Sequence, residues 1–139
     1  MLLPKKVKFR KWHTDRRNPK KKAVETRGSW LSFGSFGLKT ETSARIKSNQ
    51  LEAARKTMMR SLKKAGRIWI RIFPDRPYTA KPAEVGMGKG KGDPQGYVFA
   101  VKPGRIIFEI DGVDEALARE TLRKGGAKLP ISSRIVSRV

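Results

Sequence analysis

Three carboxylates beside a predicted strand-to-helix turn are the side chains of this sequence best placed for catalysis or metal binding. Asp111, Asp114 and Glu115 lie close enough along the chain to hold a metal ion, or to act as the acid and base of a nuclease or phosphotransferase. Carboxylates at a helix start are better explained by capping and by the helix dipole. His13 has only Asp15 as an acidic neighbour, so we expect it to be a contact residue at most. Without a nucleophile–base pair or any cysteine, the sequence predicts no enzymatic turnover, no metal and no cofactor.

A glycine–lysine repeat is the second candidate site. Residues 74–96 form a Pro- and Gly-rich connection, which we predict to be a long functional loop. Within it, glycine occupies every second position from 86 to 92. The spacing fits neither a Walker A motif nor a dinucleotide-binding fingerprint. A flexible backbone with two lysines lets ammonium groups approach a nucleotide chain closely, and the alternative is a mobile linker. The candidate contact residues are Met87, Gly88, Lys89, Gly90, Lys91 and Gly92.

The charge of the chain indicates a polyanionic partner. Its 139 residues carry 33 Lys and Arg against 12 Asp and Glu, a formal net charge of +21, and most of the excess lies before residue 80. The repulsion among these positive charges is reduced when Lys and Arg bind the phosphates of a nucleic acid and displace its counterions. A solvated tail, a heparin-like ligand and an anionic membrane patch are the alternatives. No apolar run is long enough to suggest a membrane span.

The first 28 residues are predicted to be a basic arm that cannot bury itself, followed by a single domain over residues 29–139. Phe9 and Trp12 could anchor this arm or stack on bases. An organellar transit peptide is the alternative, which Pro4 and the lack of an amphipathic pattern disfavour. The candidate phosphate contacts of the arm are Lys5, Lys6, Lys8, Arg10, Lys11, Arg16 and Arg17.

The clearest predicted element is an amphipathic helix over residues 49–64. Asn49 and Glu52 have capping-box spacing, and Gly66 supplies a stop. The apolar positions repeat every three or four residues, at Leu51, Ala54, Met58, Leu62 and Ala65. The opposite face is almost uniformly basic and is the second candidate phosphate-binding surface, formed by Lys56, Arg60, Lys63 and Arg67.

The remaining pattern predicts an α+β fold, with a mostly antiparallel sheet and two amphipathic helices packed on one face. Strands are expected over 68–73, 97–102, 105–110 and 131–136, with a β-hairpin at Pro103-Gly104 and a second helix over 114–124 that stops at Gly125-Gly126. The aromatic run 29–38 predicts a strand with a bulge. Its aromatic rings could stack on bases, but core packing is the favoured interpretation.

Several strings, in order along nearly the whole chain, resemble bacterial-type large-subunit ribosomal protein sixteen. They include Phe33-Gly34-Ser35-Phe36-Gly37-Leu38, Trp69-Ile70-Arg71-Ile72-Phe73-Pro74-Asp75, Met87 through Gly92, Val101-Lys102-Pro103-Gly104-Arg105 and Lys128-Leu129-Pro130-Ile131. Many members of that family have arginine before the Met-Gly-Lys-Gly-Lys-Gly string, where this chain has Gly86.

The resemblance implies a structural protein that binds large-subunit rRNA near the central protuberance, supports late subunit assembly and lies beside the aminoacyl-site tRNA. The basic arm, the basic helix face and Arg71 would then bind rRNA, and the glycine–lysine loop would approach tRNA at the aminoacyl site or the peptidyl site. Neighbouring large-subunit proteins are the other implied partners. The implied location is the ribosome in a bacterial cytoplasm, or in an organellar matrix or stroma. A free nucleic-acid chaperone or compacting protein is the main alternative, and a metal-dependent nuclease using the three carboxylates is the other.

Overall fold

The computed structural model describes residues 2–14 and 23–138. Arg16 and Arg17, two of the arm residues predicted to bind rRNA, lie outside the described residues. In chain order the elements are β1 (Phe36–Thr40), β2 (Ala44–Lys47), α1 (Ser48–Leu62), β3 (Arg67–Ile70), β4 (Arg76–Ala80), β5 (Asp93–Val101), β6 (Ile106–Asp111), α2 (Glu115–Gly126) and β7 (Ser133–Ser137). The predicted α+β class and both predicted helices are confirmed.

The strands form two antiparallel sheets where the sequence predicted one. The four-stranded sheet has the order β3-β6-β1-β7, and the three-stranded sheet has the order β2-β5-β4. Helix α2 packs on β1, β6 and β7, and α1 packs on α2 and β2. The strand predicted over the aromatic run 29–38 is wrong before residue 36, where β1 begins, and the irregularity in pairing lies at the end of the run, where the register with β6 shifts between Leu38 and Lys39.

The β-hairpin predicted at Pro103-Gly104 is wrong, because β5 and β6 belong to different sheets. The turn itself is present, since the Arg105 N–H donates to the Lys102 carbonyl at 3.3 Å. After the turn, the Ile106 N–H donates to the Gly28 carbonyl at 2.7 Å and the Thr40 N–H donates to the Arg105 carbonyl at 2.9 Å. The chain therefore leaves one sheet and enters the other, a choice that turn residues alone do not determine.

The predicted apolar face of α1 is confirmed for Leu51, Ala54, Met58 and Leu62, all of which are buried. Ala65 lies beyond the helix and is exposed. The predicted cap was wrong: the helix begins after Lys47, whose backbone N–H donates to Oε1 of Gln50 at 2.8 Å.

The C-terminal ends of both helices also differ from the prediction. Helix α1 ends at Leu62, and Lys63 and Lys64 both lie in the left-handed region, with φ of 50° and 68°. In α2, Gly125 and Gly126 form the last turn of the helix where the sequence predicted a stop. The two helices pack closely at Gly125, because a Cβ atom built on this residue would lie only 2.4 Å from the Met58 sulfur. Glycine, which has no Cβ atom, fits there.

The core lies between the helices and the sheets, and its centre is β6. Residues 106–110 are all buried, including Glu109 in the middle of the strand. Part of the predicted 74–96 connection is ordered as β4 and as the first half of β5, so the true loop covers residues 81–92. Within the described ranges, no helix combines the length and the apolarity that a membrane span requires.

Candidate nucleic-acid interface

The basic arm and the glycine–lysine loop, predicted separately, lie against each other. Lys91 Nζ donates a hydrogen bond to the Trp12 carbonyl, and Lys11 Nζ lies 3.5 Å from the Lys91 carbonyl. Residues 3, 5–6, 8–10 and 12–14 are exposed, as are all the side chains from 82 to 91. We call residues 2–14 and 81–92 together the arm–loop surface.

Arg76 of β4 supports this contact from the three-stranded sheet. Its guanidinium carbon lies 5.5 Å from the centre of the Trp12 ring, a cation–π distance, and its Nη2 donates to the His13 carbonyl at 2.9 Å. Trp12 therefore anchors the arm, one of the two roles that the sequence left open. The part of His13 used here is its backbone carbonyl, while its side chain is exposed.

The loop is shaped by its backbone. Gly88, Lys89 and Gly90 all have positive φ, at 101°, 60° and 97°, and Lys81 Nζ donates to the Gly88 carbonyl. No heavy atom lies within 4 Å of a Cβ built on Gly88 or Gly90, so glycine is favoured there by conformation and not by crowding. The side chains of Met87 and Lys89 point into open solvent, as a contact loop requires.

The predicted basic face of α1 is also present. Lys56, Arg60, Lys63 and Arg67 are exposed, and none of them pairs with an acidic group among the described residues. Arg60 and Lys63 border the shallow groove between α1 and α2 together with Lys124, which pairs with Glu120 at 3.1 Å. In the described part of the chain, no hydrogen bond or ion pair links this face with the arm–loop surface. The arm–loop surface and the basic face of α1 are thus two basic surfaces that share no such contact.

Arg71, predicted among the rRNA-binding residues, has an intramolecular partner. Its Nη1 forms an ion pair with Oε2 of Glu109, whose side chain is fully buried. Oε1 of the same carboxylate accepts the backbone N–H groups of Ser32, Phe33 and Gly34 at 2.8, 3.0 and 3.1 Å. Sequence reasoning missed this site, although a glutamate within the apolar run 106–110 was a signal that it needed a partner.

The pKa of Glu109 is set by opposing effects. Burial raises the pKa, but the Arg71 guanidinium and the three backbone N–H groups lower it by more, so that the net direction is below the ordinary glutamate value. The carboxylate is therefore charged in the folded protein and holds the segment 32–34 against the middle of β6.

Among the residues that the structure describes, no group of three or more His, Asp or Glu side chains is arranged to hold a metal ion, and Asp111, Asp114 and Glu115 form no such group. Asp111 accepts the Ser35 hydroxyl and the Gly112 N–H, each at 2.9 Å, and both bonds lower its pKa. Glu115 pairs with Arg119 at 2.9 Å. Asp111 therefore makes its hydrogen bonds at the end of β6, and Glu115 makes its ion pair in the first turns of α2.

The arrangement is thus two exposed basic surfaces on a stable α+β body, and comparison with known proteins identifies its family. Residues 4–136 match the family model of ribosomal protein L16p/L10e. The chain belongs to the ribosomal protein L16p/L10e family. It is 56% identical to the "Large ribosomal subunit protein uL16" of Parvibaculum lavamentivorans, over 99% of this chain and 96% of that protein.

Other members are similarly close to this L16p/L10e chain. The proteins of the same name from Rhodopseudomonas palustris strain BisB18 and from Afipia carboxidovorans are 55% and 53% identical to it, over 100% of this chain and 98% of each relative. The resemblance inferred from the sequence strings is thereby confirmed, and it covers both basic surfaces.

Proposed function

We propose that this L16p/L10e protein is a structural constituent of the large ribosomal subunit that binds large-subunit rRNA near the central protuberance. It supports late subunit assembly, positions aminoacyl-site tRNA and contacts neighbouring large-subunit proteins. Its place of action is the ribosome of a bacterial cytoplasm. Support comes from the family, from relatives that carry the name of a large-subunit protein along their whole length, and from a net charge of +21.

The observation that carries the proposal is the arm–loop surface. Lys91 and Arg76 hold the backbone of residues 12–13, and most of the other lysines and arginines around them are exposed. An arm that is already docked on the loop loses less conformational freedom when phosphates bind. Among the described residues, Lys81 and Lys91 donate hydrogen bonds within the protein while the exposed Lys89 ammonium donates none, so the tRNA contact is assigned to Lys89.

The basic face of α1 is the second part of the proposal. Because this face has no described acidic partner, its positive charge is available to rRNA phosphates. Two basic surfaces on one folded protein can each bind an rRNA segment and so hold the two segments together, which is what a structural protein contributes to assembly.

Salt dependence of binding to a large-subunit rRNA fragment tests the electrostatic part. Contacts with about six to ten phosphates predict a loss of about 10³ to 10⁵ in affinity between about 50 and 200 mM salt. Replacing Lys56, Arg60 and Lys63 by alanine should reduce the slope of log K against log salt by about 2 to 3.

A control variant removes the same charge elsewhere, by replacing the exposed Arg123, Lys128 and Arg134 with alanine. We expect a smaller change of slope for this variant. Equal slopes for the two variants would contradict the assignment of the α1 face.

Association with ribosomes separates the proposal from a free nucleic-acid chaperone. A structural constituent sediments with large subunits in a fixed ratio and stays bound in a high-salt wash, because the folded rRNA holds it on several sides. A chaperone with the same charge is released by that wash. Release of the chain at high salt would therefore contradict the proposal.

A further inference from the structure

Two aromatic side chains before β1 are exposed where the sequence favoured core packing. Trp30 is 80% exposed and Phe33 is 55% exposed, although both belong to the aromatic run that leads into the sheet. That part of the sequence prediction was wrong. Large apolar groups exposed within one short loop of a small protein commonly mark a binding surface.

The Phe33 ring belongs to an ordered arrangement beside β3, the edge strand of the four-stranded sheet. The rings of Phe33 and Trp69 stack with centroids 5.9 Å apart and an interplanar angle of 20°. The Arg71 guanidinium lies 5.1 Å from the Phe33 ring centre, and that of Arg67 lies 5.9 Å from the Trp69 ring centre. The two stacked rings therefore lie between two guanidinium groups, in the order Arg71, Phe33, Trp69, Arg67.

The position of the rings is fixed from inside the protein. Glu109 accepts the N–H groups of residues 32–34, and Arg71 Nη1, its ion-pair partner, also lies 3.4 Å from the Trp30 carbonyl. Gly34 lies against the backbone of β6, since a Cβ atom there would be 2.6 Å from the Ile110 carbonyl oxygen. The buried carboxylate thus holds the loop in place while the rings of Trp30 and Phe33 face outward.

We propose that the exposed rings of Trp30 and Phe33 bind unpaired rRNA bases by stacking, Phe33 as part of the stacked pair with Trp69 that has Arg67 and Arg71 beside it. This inference rests on the proposed ribosomal function and adds to it a site for single-stranded or bulged RNA. Bases in such segments are free to stack on aromatic and guanidinium planes, whereas paired bases in an A-form helix are not.

The charge around the rings favours RNA over a protein partner. Arg67 and Arg71 lie on the rings, while the neighbouring carboxylate of Glu109 is buried and paired with Arg71. A nucleotide offers a π-face for the ring and a phosphate for a guanidinium in one ligand. An apolar protein surface would leave Arg67, which pairs with no acidic group among the described residues, partly desolvated without an anion.

Ultraviolet crosslinking at about 254 nm in purified large subunits tests the contact, because aromatic side chains in contact with bases form covalent adducts. We expect nucleotide adducts on the peptide that spans residues 28–39. If the chain is present in the subunits but this peptide carries no nucleotide, or is crosslinked by a chemical reagent to another protein, the inference is overturned. If the chain is absent from the subunits, the proposed function itself has failed.

Binding to a single-stranded RNA oligonucleotide, with full-length protein, tests the stacking chemistry. Trp30→Leu and Phe33→Leu should each weaken binding about tenfold, while Trp30→Phe and Phe33→Tyr, which retain an aromatic face, should bind within about twofold of the parent. An abasic oligonucleotide of the same length should bind the parent and the Leu variants equally.

Thermal melting of each variant checks that the fold is intact, and the exposure of both rings predicts small changes. Two results would overturn the stacking assignment. One is an equal loss of affinity by the Leu variants for the base-containing and the abasic oligonucleotide, and the other is an equal loss of affinity in the Leu variants and the aromatic variants.

Discussion

Replacing Glu109 by glutamine tests the buried carboxylate site most directly. The substitution keeps the shape of the side chain but removes the charge that pairs with Arg71, and it places an NH2 group where an oxygen accepts hydrogen bonds. If the remaining oxygen faces residues 32–34, the amide NH2 faces the Arg71 guanidinium, and two donors then oppose each other.

The expected loss follows from these contacts. Removing one partner of a buried ion pair costs about 3 to 5 kcal/mol. Since the Arg71 side chain is 19% exposed and can recover some hydration, we expect the lower end, about 3 kcal/mol. For a chain of 139 residues the unfolding entropy is about 0.3 kcal/mol/K, so the melting temperature should fall by about 10 °C. Circular dichroism during thermal and urea unfolding measures both quantities.

The acid response provides a second measurement on the same variant. Because the pKa of Glu109 is lowered in the folded protein, its stabilising contribution is complete above the ordinary glutamate pKa and is lost as the pH falls through the lower folded value. The parent should therefore lose stability steeply below about pH 4, and Glu109→Gln should lose less over that interval. Asp111→Asn is the comparison variant. The pKa of Asp111 is also lowered, so Asp111 adds its own acid-sensitive contribution to stability, which Asp111→Asn removes and Glu109→Gln leaves in place.

Two results would refute this reasoning about Glu109. One is a stability loss below about 1 kcal/mol, the size of an ordinary surface change. The other is an acid response that is the same in the parent and in Glu109→Gln.

Three further predictions concern the backbone and the loop. Gly34→Ala should destabilise the fold by about 2 to 4 kcal/mol, because its Cβ meets the β6 backbone, whereas Gly86→Ala, which meets no atom within 4 Å, should leave the urea midpoint unchanged. Lys64→Gly should keep or raise the melting temperature, since φ of 68° costs a non-glycine residue about 1 kcal/mol; a clear fall would mean that the Lys64 side chain stabilises the helix end. Lys89→Ala combined with Lys91→Ala should leave the melting temperature nearly unchanged but weaken aminoacyl-site tRNA binding to large subunits, and a marked fall in melting temperature would show that the loop is structural.

The predictions from sequence that succeeded depend on local periodicity. Spacings of three and four residues placed Leu51, Ala54 and Met58 on one buried face of α1 and left the basic residues opposite them. The α+β class followed from the order of such segments. These features are local because a helix makes its hydrogen bonds within a few residues and needs only one apolar face.

The predictions that failed depend on distant partners. The turn at Pro103-Gly104 is compatible with a hairpin, but hydrogen bonds to Gly28 and Thr40 direct the chain into the other sheet. Lys47 and Gln50 cap α1 in place of the predicted Asn49 and Glu52, because β2 runs directly into the helix.

The sequence by itself determined a strongly basic α+β protein with a resemblance to one ribosomal family, because net charge, amphipathic spacing and motif strings are properties of the chain; nucleic-acid binding is a prediction from that charge. Only the tertiary structure decided that the arm lies on the glycine–lysine loop, that Arg71 pairs with Glu109 and that Trp30 and Phe33 are exposed. Each of these contacts joins residues 38 or more positions apart or depends on one that does, and such pairs meet only when the sheets and helices pack around a common core.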